Sequence, residues 1–187
     1  MDTTNSEGDS CFMQIAKKRQ SCREYDPSKP VEKEKILKCL EAARLAPSAC
    51  NGQPYHFYVV TGEKSKQLAP LISSNLLGMN TFCNNVPCFI VVTEDNYNFT
   101  GKVGSMIKGQ DYRLEDIGIA VAYLTAEANC QGLDTCIMGW FDQDGIKKFL
   151  GVGTTIRLVI ALGYCVPEYS LRRKKRKNME DLVTYVQ

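Results

Sequence analysis

Arg19-Gln20-Ser21-Cys22-Arg23 sets two guanidiniums on either side of a hydroxyl, where a helical pattern ends. Guanidinium forks grip anions through charge-assisted hydrogen bonds, so the spacing suits a phosphate or carboxylate. The same spacing also fits a surface helix end with two solvated arginines. A second group is Ala46-Pro47-Ser48-Ala49-Cys50-Asn51-Gly52-Gln53-Pro54. Two prolines stiffen it, Gly52 loosens one point, and Ser48, Asn51 and Gln53 offer donors and acceptors that could read the polar edge of a heterocycle. An ordinary helix-to-strand connection is the alternative. In the third group, Gly132 to Asp142, Met138-Gly139 precedes Trp140 and Phe141. A glycine there permits close backbone approach to something flat, or the segment simply packs the only tryptophan into the core. The fourth is the unbroken run Arg172-Arg173-Lys174-Lys175-Arg176-Lys177. It reads as a solvated tail, a nucleic-acid patch or a nuclear address.

Charge placement narrows the fourth group. The chain has 23 Lys+Arg against 21 Asp+Glu, a net +2 over 187 residues. Setting the six-residue run aside leaves 17 cations against 21 anions, a net −4. A duplex-binding protein carries a broad basic face, so an acidic body with one basic segment argues against nucleic acid. The phosphate-loop pattern Gly-x-x-x-x-Gly-Lys-Ser/Thr is absent. Gly151-Val152-Gly153 follows a helical pattern and precedes a strand, the reverse of a dinucleotide fingerprint. Nine cysteines include no Cys-x-x-Cys pair, and His56 is the only histidine, so neither a zinc ribbon nor a redox motif is indicated. The cysteines read as small buried hydrophobes, expected to be reduced.

These groups need a scaffold to position them. Residues 1–10 are polar and acidic, without the basic and apolar regions of a signal peptide, and are expected to form a disordered leader. Residues 11–187 are expected to form one domain, and the setting to be cytoplasmic. At 44% hydrophobic the chain can build a core, and no apolar run approaches membrane-spanning length. Periodicity predicts helices over 11–19 and 31–45, the latter with Ile36, Leu37, Leu40 and Ala43 inward. Alternation predicts a strand over Tyr55–Val60, and a continuous apolar run predicts a buried strand over Cys88–Thr93. Lys64–Leu71 reads as a short helix, residues 74–86 have no clear period, and 94–110 read as a mobile loop. The strongest helix spans 112–131, with Leu114, Ile117, Val121, Leu124 and Ala128 on one face and the small residues Gly118, Ala120, Ala122 and Ala126 open to a neighbour. A short strand over Cys136–Met138, a helix over Asp144–Leu150 and a strand over Ile156–Gly163 follow. Met179–Val186 reads as a helix or strand whose apolar residues dock on the body. Interleaved helices and short strands point to a mixed layer fold.

The order of motifs is more specific than any one of them. Arg-x-Ser-x-Arg at 19–23, Ala-Pro-Ser-x-x-Asn-x-Gln-Pro at 46–54, Asp-Ile-Gly-Ile-Ala at 116–120, Gly-Leu-x-Thr-Cys at 132–136, Gly-Trp-Phe-Asp at 139–142, then Leu-Gly-Tyr and the basic run, resemble the nitroreductase family of flavin enzymes. The resemblance covers about Arg19 to Val183. It implies a three-layer α+β fold with a mostly antiparallel sheet flanked by helices, built as an intertwined homodimer with FMN at each subunit interface. It implies that Arg19, Ser21 and Arg23 hold the phosphate, ribityl chain and pyrimidine edge of FMN. Pro47, Ser48, Ala49 and Asn51 would come from the other subunit and cover the ring, with Gln53 in the same motif. Met138 and Gly139 would approach flavin N5 through their backbone, and Lys174 and Arg176 would bind the phosphate. The implied activity is ping-pong hydride transfer from NADH or NADPH through flavin N5 to a nitroaromatic, quinone or similar acceptor, with no catalytic side chain and no metal. The same family resemblance leaves open a dehydrogenase or dehalogenase acting on a specific metabolite. No partner for a further family contact, an Asn or Lys beyond the first strand, is singled out among Asn75, Asn80 and Asn84.

Overall fold

A computed structural model describes residues 8–73, 78–96 and 111–187. The leader expected over 1–10 and the loop expected over 94–110 fall largely outside these residues, as do 74–77. At the first described turn, Ser10 Oγ accepts the Met13 amide at 3.3 Å and caps helix α1, Cys11–Lys18, while Lys17 and Lys18 suit its last turn.

The centre of the fold is strand β2, Cys88–Glu94, buried from Cys88 to Thr93. A strand apolar on both faces must be covered on both faces. Phe89 and Val91 face one cluster, with Leu68 and Ile72 of α3, Glu63–Ile72, and Ile146 of α5, Gln143–Leu150. Ile90 and Val92 face the other, with Ile36, Cys39 and Ala43 of α2, Lys33–Arg44, and Ile117, Val121, Leu124 and Ala128 of α4, Arg113–Cys130. The result is helices, sheet, helices: three layers of an α+β fold. The sheet has four strands in the order β1-β2-β4-β3, with β1 Tyr55–Thr61, β3 Asp134–Met138 and β4 Ile156–Gly163. Each pairing is antiparallel, for example Tyr58 with Val91, Ile90 with Ile160, and Ile137 with Ile160.

Several expectations are corrected. Leu37 and Leu114, predicted inward, are 53% and 55% exposed. The period admits them to the apolar stripe, but the α2–α4 contact is narrower and takes Cys39 and Ala120 instead. The ambiguous 78–86 stretch becomes a turn and a short 3-10 segment, Thr81–Asn85. The last segment forms one 3-10 turn, Met179–Asp181, and its apolar end is not docked on its own body: Tyr185 is 84% exposed. One pair of cysteines is not reduced. Cys22 and Cys165, with Cα atoms 6.4 Å apart, form a disulfide, while seven cysteines are free.

Candidate functional site

At the edge of β3 the two ends of the chain run together. α1 stops at Arg19, whose amide still donates to Ile15 O at 2.7 Å while its backbone turns extended. Ser21 then bridges Thr135 in parallel, and the Cys22 amide donates to Thr135 O at 3.0 Å. From the far end of the sequence, the Val166 amide donates to Glu24 O at 3.1 Å. Tyr169 Oη donates to Ser21 O at 3.3 Å and accepts the Arg23 amide at 3.1 Å. Gln20 accepts the Arg172 amide at 3.1 Å and donates to Ser170 O at 3.1 Å, and Lys174 Nζ donates to Arg19 O. The sequence-predicted Arg19, Ser21, Arg23, Lys174 and Arg176 are thus gathered in one corner. Gln20, Tyr169, Arg172 and the Cys22–Cys165 disulfide, none of them singled out from the sequence, fasten it.

The electrostatics of this corner are one-sided. Burial holds the Lys174 ammonium below the usual lysine range, and Arg19, Arg176 and Arg172 depress it further. Burial pushes the Cys136 thiol up, against the pull of Arg23, a hydrogen bond with Ser21, Arg172 and Arg19. Among the described residues, none of Arg19, Arg23, Arg172, Lys174 and Arg176 forms a salt bridge. Arg19 Nη1 is buried without a hydrogen-bond partner. A buried donor left unmade costs about 1–3 kcal/mol, more when charged. Cations crowded without a salt-bridged carboxylate, with one donor left over, make the environment an anion would neutralise.

β3 ends at Met138, buried with its sulfur 3.7 Å from Cys83 Sγ. Gly139 follows exposed, and a methyl group there would meet no atom of the described residues within 4 Å, which leaves room on that side of the backbone. Trp140 is 52% exposed rather than packed, while its carbonyl accepts Asn80 Nδ2 at 3.1 Å. Of the three asparagines, Asn80 thus bonds the backbone just beyond this strand end, Asn84 lies in the 3-10 segment Thr81–Asn85, and Asn75 lies outside the described residues.

The Pro47–Pro54 loop is built differently. Cys50, Asn51 and Gln53 all have positive φ, at 51°, 52° and 45°. A left-handed conformation costs a non-glycine residue about 1–2 kcal/mol, so the loop carries strain that its bonds must offset. Ser48 Oγ accepts the Gln53 amide at 3.1 Å, and Gln53 Nε2 donates to Asn51 O and Oδ1, each at 3.1 Å. The Ala49 amide donates to Asp116 Oδ1 on α4 at 2.9 Å.

The loop leads into β1, and the cationic corner abuts β3, at opposite edges of the sheet. Three strand spacings, about 14 Å, separate those edges. The register sets Tyr55 opposite Glu94 and Met138 opposite Val159, so the loop and Gly139 lie toward the same end of the sheet. One chain thus gathers Arg19, Ser21, Arg23, Met138, Gly139, Lys174 and Arg176 at one edge and holds Pro47, Ser48, Ala49, Asn51 and Gln53 at the other.

Comparison with known proteins places this architecture. The chain is 29% identical to an oxygen-insensitive NADPH nitroreductase of Helicobacter pylori strain J99, over 92% of this chain and 95% of that protein. An FMN-dependent nitroreductase of Clostridium difficile R20291 superposes with a TM-score of 0.67 at 29% identity, covering 90% of this chain and 93% of that one. A protein of Exiguobacterium sibiricum 255-15, taken for a nitroreductase and crystallised in complex with FMN, superposes with a TM-score of 0.77 at 23% identity, covering 96% and 99%. Residues 16–164 match the model of the Nitroreductase family. With that match, the three-layer fold and the ordered motifs agree: the chain belongs to the nitroreductase family.

Proposed function

We propose that this oxidoreductase is FMN-dependent and takes its electrons from NADH or NADPH. The observation that carries the reading is the cationic corner, with Arg19 Nη1 buried and unpartnered among Arg172, Lys174 and Arg176. Its charge suits the phosphate of a mononucleotide. When bound, FMN would supply the redox chemistry, ping-pong hydride transfer between NAD(P)H and an electron-poor acceptor such as a nitroaromatic or quinone.

The chain's own residues bind and orient. Arg19, Lys174 and Arg176 hold the phosphate, and Ser21 the ribityl chain. Arg23 brings positive charge to the pyrimidine edge and so raises the cofactor's affinity for electrons. Met138 and Gly139 present backbone from the end of β3, where the missing Cβ leaves room. Pro47, Ser48, Ala49, Asn51 and Gln53 cover the ring from a second copy of the chain. Two features support that assembly. The loop stands at the wrong edge of its own sheet to reach the corner. In addition, Leu37 of α2, Leu45 just past its end, and Leu114, Ile119 and Tyr123 of α4 are exposed apolar residues, and Gly118 and Ala122 lie exposed among them. Large apolar groups beside small ones suit a packed interface between homodimer subunits. The domain then spans 11–187. No helix among the described residues is long and apolar enough to cross a membrane. An NAD(P)H donor fits a cytoplasmic setting.

An absorbance spectrum of the purified protein tests the reading. Flavin bands that denaturation releases as FMN, with NAD(P)H consumption driven by a nitroarene or quinone, are expected. Protein that stays colourless after FMN is added would refute it.

A further inference from the structure

We infer that Asp116 is a positioning residue for the cofactor site, acting through the Ala49 amide to hold the left-handed Pro47–Pro54 loop in its ring-covering shape. The inference rests on the FMN reading above, and adds to it a residue that touches neither cofactor nor acceptor in that account. Asp116 is 3% exposed, in the first turn of α4. Its Oδ1 accepts the Ala49 amide at 2.9 Å, across 67 positions of sequence. Its Oδ2 is buried and has no hydrogen-bond partner.

A carboxylate in such a place is costly. A buried polar group is stable only when hydrogen-bonded, and one of its oxygens gains nothing in return. The first turn of α4 offsets part of that cost, because the positive end of the helix dipole favours an acid there. What remains is a polar group whose one hydrogen bond goes to the loop. That loop needs an outside anchor. Its bonds among Ser48, Asn51 and Gln53 brace the loop's shape, and the Asp95 amide fixes its far end by donating to Pro54 O at 2.9 Å, which leaves the entry at Ala49 to Asp116. Three residues in left-handed backbone will relax toward commoner conformations unless the surroundings over-determine them. Ala49 is where the loop enters that stretch, and Asp116 grips it from a helix packed on the sheet. The carboxylate thereby converts the rigidity of α4 into a fixed position for Ser48, Ala49 and Asn51.

Two substitutions and one exchange experiment test this. Asp116→Ala removes the acceptor. Asp116→Asn keeps an oxygen for the Ala49 amide and removes the charge. Titration of each apoprotein with FMN is expected to show at least tenfold weaker binding for Asp116→Ala and a change within threefold for Asp116→Asn. Hydrogen exchange in the apoprotein is expected to show lost protection at the Ala49 amide in Asp116→Ala, restored in Asp116→Asn. A merely structural role predicts no such rescue, since both variants would lose the carboxylate alike. If Asp116→Ala does not fold, Ala49→Pro deletes the donor instead, at a position preceded by the extended Ser48 that a proline requires. It is expected to weaken FMN at least tenfold. Wild-type FMN affinity in Asp116→Ala or Ala49→Pro, or unchanged Ala49 protection in Asp116→Ala, would overturn the inference. If the wild-type protein takes up no FMN, the cofactor reading falls, and the exchange experiment still decides whether Asp116 anchors the loop.

Discussion

The β3 edge and the β1 edge carry the two halves of the candidate site by opposite means. At β3, residues from the first and last parts of the chain are tied by a disulfide, a strand bridge and side-chain bonds spanning about 150 positions. The charge held there is repulsive, and the ties oppose that repulsion. At β1, the eight-residue Pro47–Pro54 loop holds a strained shape through short-range bonds, one carboxylate from α4 and the Asp95 amide on Pro54 O. Crowded charge requires long-range fastening, whereas a left-handed backbone requires local bracing with anchors at its ends.

The largest expected effect breaks the fastening at β3. The Cys22–Cys165 bond closes a span of 143 residues, and removal of a native disulfide costs about 2–5 kcal/mol. Cys22→Ser with Cys165→Ser is expected to lower the denaturant midpoint by a corresponding amount. FMN is expected to bind more weakly, because the two arms carrying Arg19 and Lys174 are no longer clipped. Equilibrium urea unfolding with and without a dithiol reductant checks both, and a wild-type curve unchanged by reduction would remove the disulfide from the account. Next is the anion itself. Arg19→Ala deletes a charged hydrogen bond worth about 1.5–3 kcal/mol, so FMN affinity should fall about 10- to 150-fold while the fold survives. Arg23→Ala should bind FMN less tightly and lower the potential of what remains bound; an unchanged potential in the holoenzyme contradicts the role given to Arg23.

Much of this was legible in the residues. The continuous apolar run at 88–93 demanded a strand covered on both faces, and the i, i+3, i+4 pattern of 117–128 demanded a helix to cover it. The site motifs announced themselves by order. What could not be read were pairings over long spans. Nine cysteines allow many bridges, and nothing local joins Cys22 to Cys165. Asp116 left a faint trace, a lone acid among buried positions of an apolar helix face, but its partner lies 67 positions away. Leu37 and Leu114 satisfy the helical period yet point outward, because periodicity reports an apolar face without saying whether its own chain covers it.

At the β1 edge the effects are smaller. Gln53→Gly relieves a left-handed residue, so stability should rise by up to about 1 kcal/mol while the loop loses its Asn51 bonds and grips FMN less. Thermal unfolding beside an FMN titration separates the two movements. The smallest effect concerns proton linkage in the cationic corner. The folded state holds Lys174 below its ordinary value of 10.5, so between the two values the unfolded chain binds more protons. Stability from this group therefore increases as pH rises through the folded value toward 10.5. Relative to wild type, the Lys174→Gln apoprotein should show a shallower gain of thermal stability over that alkaline window. Parallel curves for the two proteins would mean that Lys174 is not crowded by its neighbours.

The central claim is that the two edges meet only across two copies of the chain, and a mixing experiment tests it most directly. One variant carries Arg19→Ala with Arg23→Ala, the other Ser48→Ala with Asn51→Ala. Each homodimer has two damaged sites. After the two are unfolded together and refolded, about half the dimers are hybrids, and each hybrid has one intact corner facing one intact loop. Tight FMN binding should return to about a quarter of all sites. If the mixture binds no more FMN than the separate variants, the halves do not combine across subunits and the account is wrong.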